Sequence, residues 1–168
     1  AGARSYFHFE KAVQEVMGFP YVLPTHQGRG AEGMLFQTLV KPGQMVPNNR
    51  HFDTTQANLL DIGAQPVDLA VDEAEDAQAL LPFKGNMDLQ KLENFIRRVG
   101  AENIPIGMMT ITNNSAAGQP VSMDNIRQTA EIYHKYGIPF FMDVARFGEN
   151  AWFIKTRDPL FKDKSVRE

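Results

Sequence analysis

Short apolar runs alternate with amphipathic segments along most of this chain, and this alternation limits the fold more than any other feature. Four apolar runs predict strands, at residues 44–46, 66–71, 104–112 and 138–142. Between them apolar residues recur at helical spacing, as in the stripe from Leu89 to Val99. This order predicts an α/β architecture with right-handed crossovers, in which a mostly parallel sheet is flanked by helices.

Residues that favour helix ends mark several of the predicted boundaries. Asp88 and Ser122 are suited to cap helix starts, because their side-chain oxygens accept hydrogen bonds from the first free N–H groups. Gly18 and Gly100 are suited to end helices, since glycine adopts a positive φ without steric cost. A further short apolar run predicts a strand at residues 21–23.

Length and composition indicate a single α/β domain over residues 1–168. The hydrophobic content of 43% supports a sizeable core. The net charge is −3 and the charges are interspersed, which excludes the basic patch that nucleic acid or an anionic membrane requires. No stretch approaches the roughly 20 apolar residues that span a bilayer. We therefore expect a small-molecule partner and, by default, a cytoplasmic location.

Metal chemistry is not indicated. The chain has no cysteine, which excludes disulfides and thiolate metal sites. Its four histidines show no metal-ligand spacing among themselves or with acidic residues. No metal site is predicted.

The segment from Thr25 to Gly30 has the features of an anion-binding turn. It opens a predicted helix, whose first backbone N–H groups attract negative charge, and it includes the guanidinium of Arg29. Two glycines allow an anion to approach the backbone closely. The segment therefore predicts a phosphate site, although an ordinary tight turn fits the same residues.

Polar residues that follow predicted strands are further candidates, because ligands of open α/β sheets bind outside the carboxyl ends of the strands. Asp143 follows a buried strand and needs a cationic or donor partner to stay ionised there. It either caps the next turn, pairs with Arg146, or holds a protonated ring nitrogen of a ligand while Arg146 faces an oxygen on that ring. Asn114 offers an amide and Phe52 an aromatic face, although residues of these kinds, taken alone, more often have a loop role and a core role, respectively.

Several motifs together resemble the β-eliminating lyases, the pyridoxal-phosphate enzyme family of tryptophanase and tyrosine phenol-lyase. The first is residues 24–32 (Pro-Thr-His-Gln-Gly-Arg-Gly-Ala-Glu). The others agree in order and spacing: residues 52–55, 83–86, 118–122, 143–151 and 153–155. The resemblance covers essentially the whole chain. It implies part of the large domain of a fold-type-I, aspartate-aminotransferase-like enzyme.

The resemblance also implies a role for each matched residue. Gln27, Gly28 and Arg29 would hold the cofactor phosphate, and Phe52 would stack on the pyridine ring. Asp143 would pair with the ring nitrogen, which makes the cofactor a stronger electron sink. Two further predictions complete the set. Asn114 and Arg146 would face the ring oxygen or the substrate carboxylate, and the predicted catalytic residues are Asp53, Asp143 and Arg146.

The family reaction removes a leaving group from the β-carbon of an amino acid, giving pyruvate and ammonia. The lysine that forms the Schiff base with the cofactor lies, in the family, in a Ser-x-Lys-Lys motif, and no such motif occurs here. We therefore expect an internal piece of a longer protein that is inactive alone, with a homo-oligomer or the remaining segments of the enzyme as its partner. The family's monovalent-cation site lies largely outside this region. A complete small domain is the alternative.

The substrate is not fixed by the motifs. Asp53 and the run 145–147 are tryptophanase-like, whereas residues 41–44 and 100–103 are similar to tyrosine phenol-lyase. Both relatives have a histidine shortly after Phe52, where this chain has Asn58 and Leu59, so a lyase for another β-substituted amino acid is also open. A different class of hypothesis is a non-catalytic fragment that folds or associates without cofactor.

Overall fold

Strands and helices alternate along the chain in the computed structural model, which describes residues 2–168. The helices are α1 (Arg4–Met17), α2 (Gly28–Leu39), α3 (Asp53–Asp61), α4 (Leu89–Val99), α5 (Met123–Lys135) and α6 (Phe147–Arg157). The strands are β1 (Met45–Asn48), β2 (Gln65–Asp68), β3 (Gly107–Thr110) and β4 (Phe140–Asp143). The predicted α/β architecture with parallel strands is confirmed.

The helix ends follow the predicted caps. Asp88 accepts a hydrogen bond from the Lys91 N–H at 2.9 Å, and Ser122 accepts one from the Asn125 N–H at 3.1 Å. Gly18 and Gly100 follow α1 and α4 with φ of 74° and 84°, in the region that favours glycine. Side-chain caps therefore set two of these boundaries, and the backbone freedom of glycine sets the other two.

Three boundary predictions are corrected. Residues 21–23 form no strand, and Tyr21 and Leu23 are 89% and 87% exposed, because no strand lies beside them within residues 2–168. Strand β3 covers only Gly107–Thr110 of the predicted 104–112, since pairing with β4 extends over four residues. Strand β2 ends at Asp68 rather than at residue 71. The flanking Ile104 and Ile111 are buried in the core outside the assigned strand, and the Ile111 N–H donates to the Asp143 carbonyl at 3.0 Å.

The four strands form two parallel pairs. In one, β1 pairs with β2 from Met45↔Gln65 to Asn48↔Asp68; in the other, β3 pairs with β4 from Gly107↔Phe140 to Thr110↔Asp143. Strands β1 and β3 lie side by side, and the side chain of Asn49 joins them. Its Nδ2 donates to the Thr110 carbonyl at 3.0 Å, and the Thr110 N–H donates to its Oδ1 at 2.9 Å.

The spatial order β2-β1-β3-β4 places a topological switch point between β1 and β3. The chain leaves β1 toward β2 on one side and returns to β3 on the other. At such a point the connecting loops diverge, which opens a crevice at the carboxyl ends of the strands. The topology therefore predicts a ligand site at the carboxyl ends of the strands.

Helices cover both faces of this layer. Met108 and Met109 are successive residues of β3, yet Met108 packs with Phe36 and Leu59 from α2 and α3, while Met109 packs into the cluster that contains α4 and α5. Strand residues on both faces are therefore buried, as in parallel sheets. Helix α1 buries none of its residues, and none of the helices described over residues 2–168 is long and apolar enough to cross a membrane.

Candidate functional site

A cleft of about 750 Å³ opens beside the carboxyl end of β4. Three segments line it: the first turn of α2, the start of α3, and the end of β4 with the loop that follows. The lining residues are Gln27, Gly28, Arg29, Ala31, Glu32, Leu35, Phe52, Thr54, Thr55, Phe141, Met142, Asp143, Val144 and Ala145. Elements that are far apart in sequence thus meet at one edge of the sheet.

The first turn of α2 contributes positive potential to this cleft. The leading N–H groups of an α-helix have no acceptor within the helix, and the helix dipole adds partial positive charge there. Thr25 Oγ1 donates to the Gln27 carbonyl at 3.1 Å and braces the turn. A side chain at Gly28 would meet open space, so this backbone is accessible from the cleft. Together with the exposed Arg29, the turn suits a phosphate group.

Asp143 adds a carboxylate to the same cleft. It is the last residue of β4 and is half-buried, and its Oδ1 accepts a hydrogen bond from the Ala145 N–H at 3.0 Å. One carboxylate oxygen of Asp143 therefore caps the following turn, as predicted. Within residues 2–168 Asp143 forms no ion pair with Arg146, so the carboxylate remains able to bind a ligand cation.

Phe52 precedes α3 and lines the cleft with a half-buried ring. Its neighbour His51 is buried and joins the ends of β1 and β2: the His51 Nδ1 lies 2.6 Å from Asp68 Oδ1, and the His51 N–H donates to the same oxygen at 2.9 Å. Burial alone would raise the pKa of Asp68, but these hydrogen bonds and the nearby Arg50 hold that pKa below its usual value. The backbone before Phe52 is thereby fixed.

Three predicted site residues lie outside the lining of this cleft. Asp53 is exposed at the start of α3, where its Oδ1 accepts from the Thr54 N–H at 2.7 Å. Asn114 begins a short 3-10 helix after β3, and Arg146 is an exposed residue that precedes α6. The structure brings together Gln27, Gly28, Arg29, Phe52 and Asp143 but not these three, whose roles stay predictions.

Glu32 is a cleft residue that the sequence reasoning did not select. Thr55 Oγ1 donates to Glu32 Oε1 at 2.8 Å. Burial raises the pKa of Glu32, and the nearby charge of Asp143 raises it further, whereas the hydrogen bond from Thr55 and the nearby His51 and Arg29 lower it. Glu32 lies four residues after Gly28 and therefore on the same helix face, and this spacing could have identified it as a site residue from the sequence.

Glu32→Gln is expected to stabilise the chain increasingly as the pH rises. The folded state holds the Glu32 proton more tightly than the unfolded state, so the native chain loses stability as the pH rises through the folded pKa. Glutamine carries no charge and keeps an oxygen for Thr55. Urea unfolding at acidic and neutral pH measures the difference, with exposed Glu131→Gln as control. A difference that does not change with pH would contradict this assignment.

Solved structures show which fold the chain has. Cystalysin from Treponema denticola, which contains pyridoxal 5′-phosphate, superposes with a TM-score of 0.64 at 14% identity, over 88% of this chain and 36% of that one. An aminotransferase of the DegT/DnrJ/EryC1/StrS kind from Brucella abortus gives 0.63 at 24% identity, over 87% and 36%. The fold is that of the aminotransferase-like, fold-type-I pyridoxal-phosphate enzymes.

Within this class the chain belongs to the β-eliminating lyase family, whose model matches residues 1–160. It is 51% identical to a tryptophanase of Rhodobacter capsulatus over 168 residues, which are 100% of this chain and 37% of that protein. It is 48% identical to a tyrosine phenol-lyase of Lacrimispora saccharolytica over 99% of this chain and 36% of that protein. The chain therefore spans little more than a third of the length of these relatives.

Proposed function

We propose that this chain forms the cofactor-binding part of a pyridoxal-phosphate-dependent carbon-carbon lyase, which eliminates the side chain of an aromatic amino acid and releases pyruvate and ammonia. One observation carries the proposal. The helix N-terminus at Gln27 to Arg29, the ring of Phe52 and the carboxylate of Asp143 come from three separate elements and line one cleft. These groups match the phosphate, the ring face and the ring nitrogen of the cofactor.

Each group has a distinct task in this proposal. Pyridoxal phosphate, when bound, supplies an electron sink for the electrons left when an amino acid loses its α-proton. Asp143 holds a proton on the ring nitrogen, because a carboxylate in a half-buried cleft stabilises a neighbouring cation. Gln27, Gly28 and Arg29 would bind the phosphate through N–H donors, and Phe52 would stack on the ring and keep water from that face.

The substrate we propose first is tryptophan, with tyrosine as the second candidate. The tryptophanase of Rhodobacter capsulatus is slightly more similar to this chain than the tyrosine phenol-lyase of Lacrimispora saccharolytica, at 51% against 48% identity. The motifs at Asp53 and residues 145–147 support the same choice, whereas residues 41–44 and 100–103 are similar to tyrosine phenol-lyase and keep tyrosine as the second candidate. Because Asp53 is exposed and outside the cleft lining, we propose that a segment beyond these 168 residues completes the substrate side.

Catalysis also needs groups that this chain does not supply. No Ser-x-Lys-Lys motif occurs in these 168 residues, so we propose that the chain alone binds cofactor without carrying out elimination. We also propose that the intact enzyme uses a monovalent cation and is located in the cytoplasm. Its partners are other copies of the chain or the remaining segments of the enzyme. The exposed Phe7, Phe9 and Val16 of α1 support association, since they present apolar surface to solvent.

Calorimetric titration with pyridoxine 5′-phosphate tests the proposal. This ligand keeps the ring and phosphate but has no aldehyde, so it cannot react with surface lysines. We expect saturable binding, and Arg29→Ala is expected to weaken it about tenfold or more, because a charge-assisted hydrogen bond to phosphate contributes about 1.5–3 kcal/mol. Arg167→Ala, which also removes one exposed arginine, is the matched control.

Two results would contradict the proposal. One is the absence of binding at millimolar ligand. The other is an equal loss of affinity in Arg29→Ala and Arg167→Ala, which would indicate a general charge effect rather than a phosphate site at the start of α2.

A further inference from the structure

Helices α2 and α3 are joined by two hydrogen bonds close to the cleft. Thr55 Oγ1 donates to Glu32 Oε1 at 2.8 Å, and Asn58 Nδ2 donates to the Arg29 carbonyl at 3.3 Å. Each bond links a residue in the first two turns of α3 to a residue in the first two turns of α2. The two helix starts both line the cleft, and these bonds tie them together directly.

The Thr55 bond is the stronger of the two by geometry and burial. Thr55 is 2% exposed, and a buried hydroxyl that loses its acceptor carries the full cost of desolvation. Because hydrogen bonds weaken steeply with distance and angle, this one favours a single relative placement of the two helices. Glu32 is also a cleft residue, so the bond sits at the edge of the site itself.

Apolar packing does not supply the same restraint. Phe36 of α2 and Leu59 of α3 are fully buried in one cluster, and they hold the helices in contact. Hydrophobic attraction is non-directional, so it stabilises contact without fixing how far one helix start lies from the other. The hydrogen bond between Thr55 and Glu32 therefore sets the distance between the two helix starts.

We propose that Glu32, Thr55 and Asn58 form a positioning clamp that sets the spacing between the phosphate-binding turn and the ring of Phe52. The clamp rests on the proposed function, since its purpose is to match the distance between the phosphate and the ring of one cofactor. Thr55 and Asn58 act through Glu32 and Arg29. Asn58 lies in the region where the family resemblance predicts a histidine, so an amide takes a positioning role there in this chain.

The ratio of the chain's affinity for pyridoxine 5′-phosphate to its affinity for pyridoxine tests the clamp. Because the two ligands differ only in the phosphate, this ratio isolates the contribution of the phosphate to binding. Thr55→Val keeps the shape but removes the donor, and we expect it to lower the ratio about fivefold to tenfold while pyridoxine affinity changes less than about twofold. Thr55→Ser keeps the hydroxyl and is expected to retain the native ratio. Equal losses for both ligands, or an unchanged ratio in Thr55→Val, would overturn the clamp while leaving the proposed function intact.

A second measurement needs no cofactor. We expect Thr55→Val to speed amide hydrogen exchange in residues 32–36 of α2 about fivefold relative to α5, because loss of the clamp frees the start of α2 to open locally. The reference to α5 removes any change in global stability. Unchanged exchange in Thr55→Val would contradict the clamp, whether or not the chain binds a phosphate ester. Faster exchange in a chain that binds no ligand would instead contradict the proposed function, and the clamp would then have no cofactor to fit.

Discussion

Asn49→Ala is expected to lower the free energy of unfolding by about 3–5 kcal/mol, since each buried group left without a partner costs about 1–3 kcal/mol. Asn49 is fully buried where β1 meets β3. Besides its two bonds to Thr110, its Nδ2 donates to the Gly85 carbonyl at 2.8 Å. The truncation leaves the Thr110 N–H and two carbonyl groups without partners and loosens the two halves of the sheet.

Urea unfolding measures this effect, and Asn94→Ala is the matched control. Asn94 accepts a hydrogen bond from Gln90 on the exposed face of α4 at 3.0 Å, and its loss is expected to cost less than about 0.5 kcal/mol. A loss below about 1 kcal/mol for Asn49→Ala would mean that strand packing, rather than this side chain, joins β1 to β3.

Gly107→Ala is expected to destabilise the chain by about 3 kcal/mol or more, because overpacking a filled core forces backbone or rotamer shifts. A Cβ at Gly107 would overlap the ring of Tyr133. That ring cannot withdraw easily: it is fully buried, stacks on Phe140 with centroids 5.5 Å apart, and its hydroxyl donates to the Pro47 carbonyl at 3.3 Å. Burial also raises the pKa of Tyr133 well above its usual value, so the hydroxyl stays protonated as a donor.

Two comparisons make the Gly107 prediction specific. Gly148→Ala changes glycine to alanine within α6, where an added Cβ meets open space, and is expected to be neutral or stabilising by about 0.5–1 kcal/mol. Tyr133→Val should relieve the overlap, so the double variant Gly107→Ala/Tyr133→Val is expected to lose less stability than the sum of the single losses. Additive losses, measured by urea unfolding, would contradict a clash between these residues.

Local chemistry explains which parts of the fold were predictable. Asp88, Ser122, Gly18 and Gly100 mark helix ends through interactions within a few residues, so the sequence alone identifies them. The irregular path of residues 21–23 depends on which elements lie beside them. An apolar run such as residues 21–23 becomes a strand only when a partner strand is available, and periodicity carries no information about partners.

Some site residues were likewise predictable from the sequence and others were not. Gln27 to Arg29 lie at the start of α2 and Asp143 ends β4, and they reach the cleft because these elements carry them there, whereas Asp53 begins α3 but is exposed outside the lining. Asn114 and Arg146 lie in loops, where the direction of the side chain depends on the turn rather than on sequence distance. Asn49 and Thr110 are 61 residues apart, so no sequence pattern indicated that they would bond.

Under the proposed function the cleft binds a pyridoxal-type ring with Asp143 at the ring nitrogen. The most direct measurement is the ¹⁵N NMR shift of the pyridine nitrogen of labelled pyridoxine 5′-phosphate bound to this chain, at a pH where that nitrogen is deprotonated in the free ligand. We predict the shift of a protonated nitrogen in the native chain, and of a neutral nitrogen in Asp143→Asn, since a carboxylate favours the protonated ring. A neutral nitrogen in the native complex would contradict the claim.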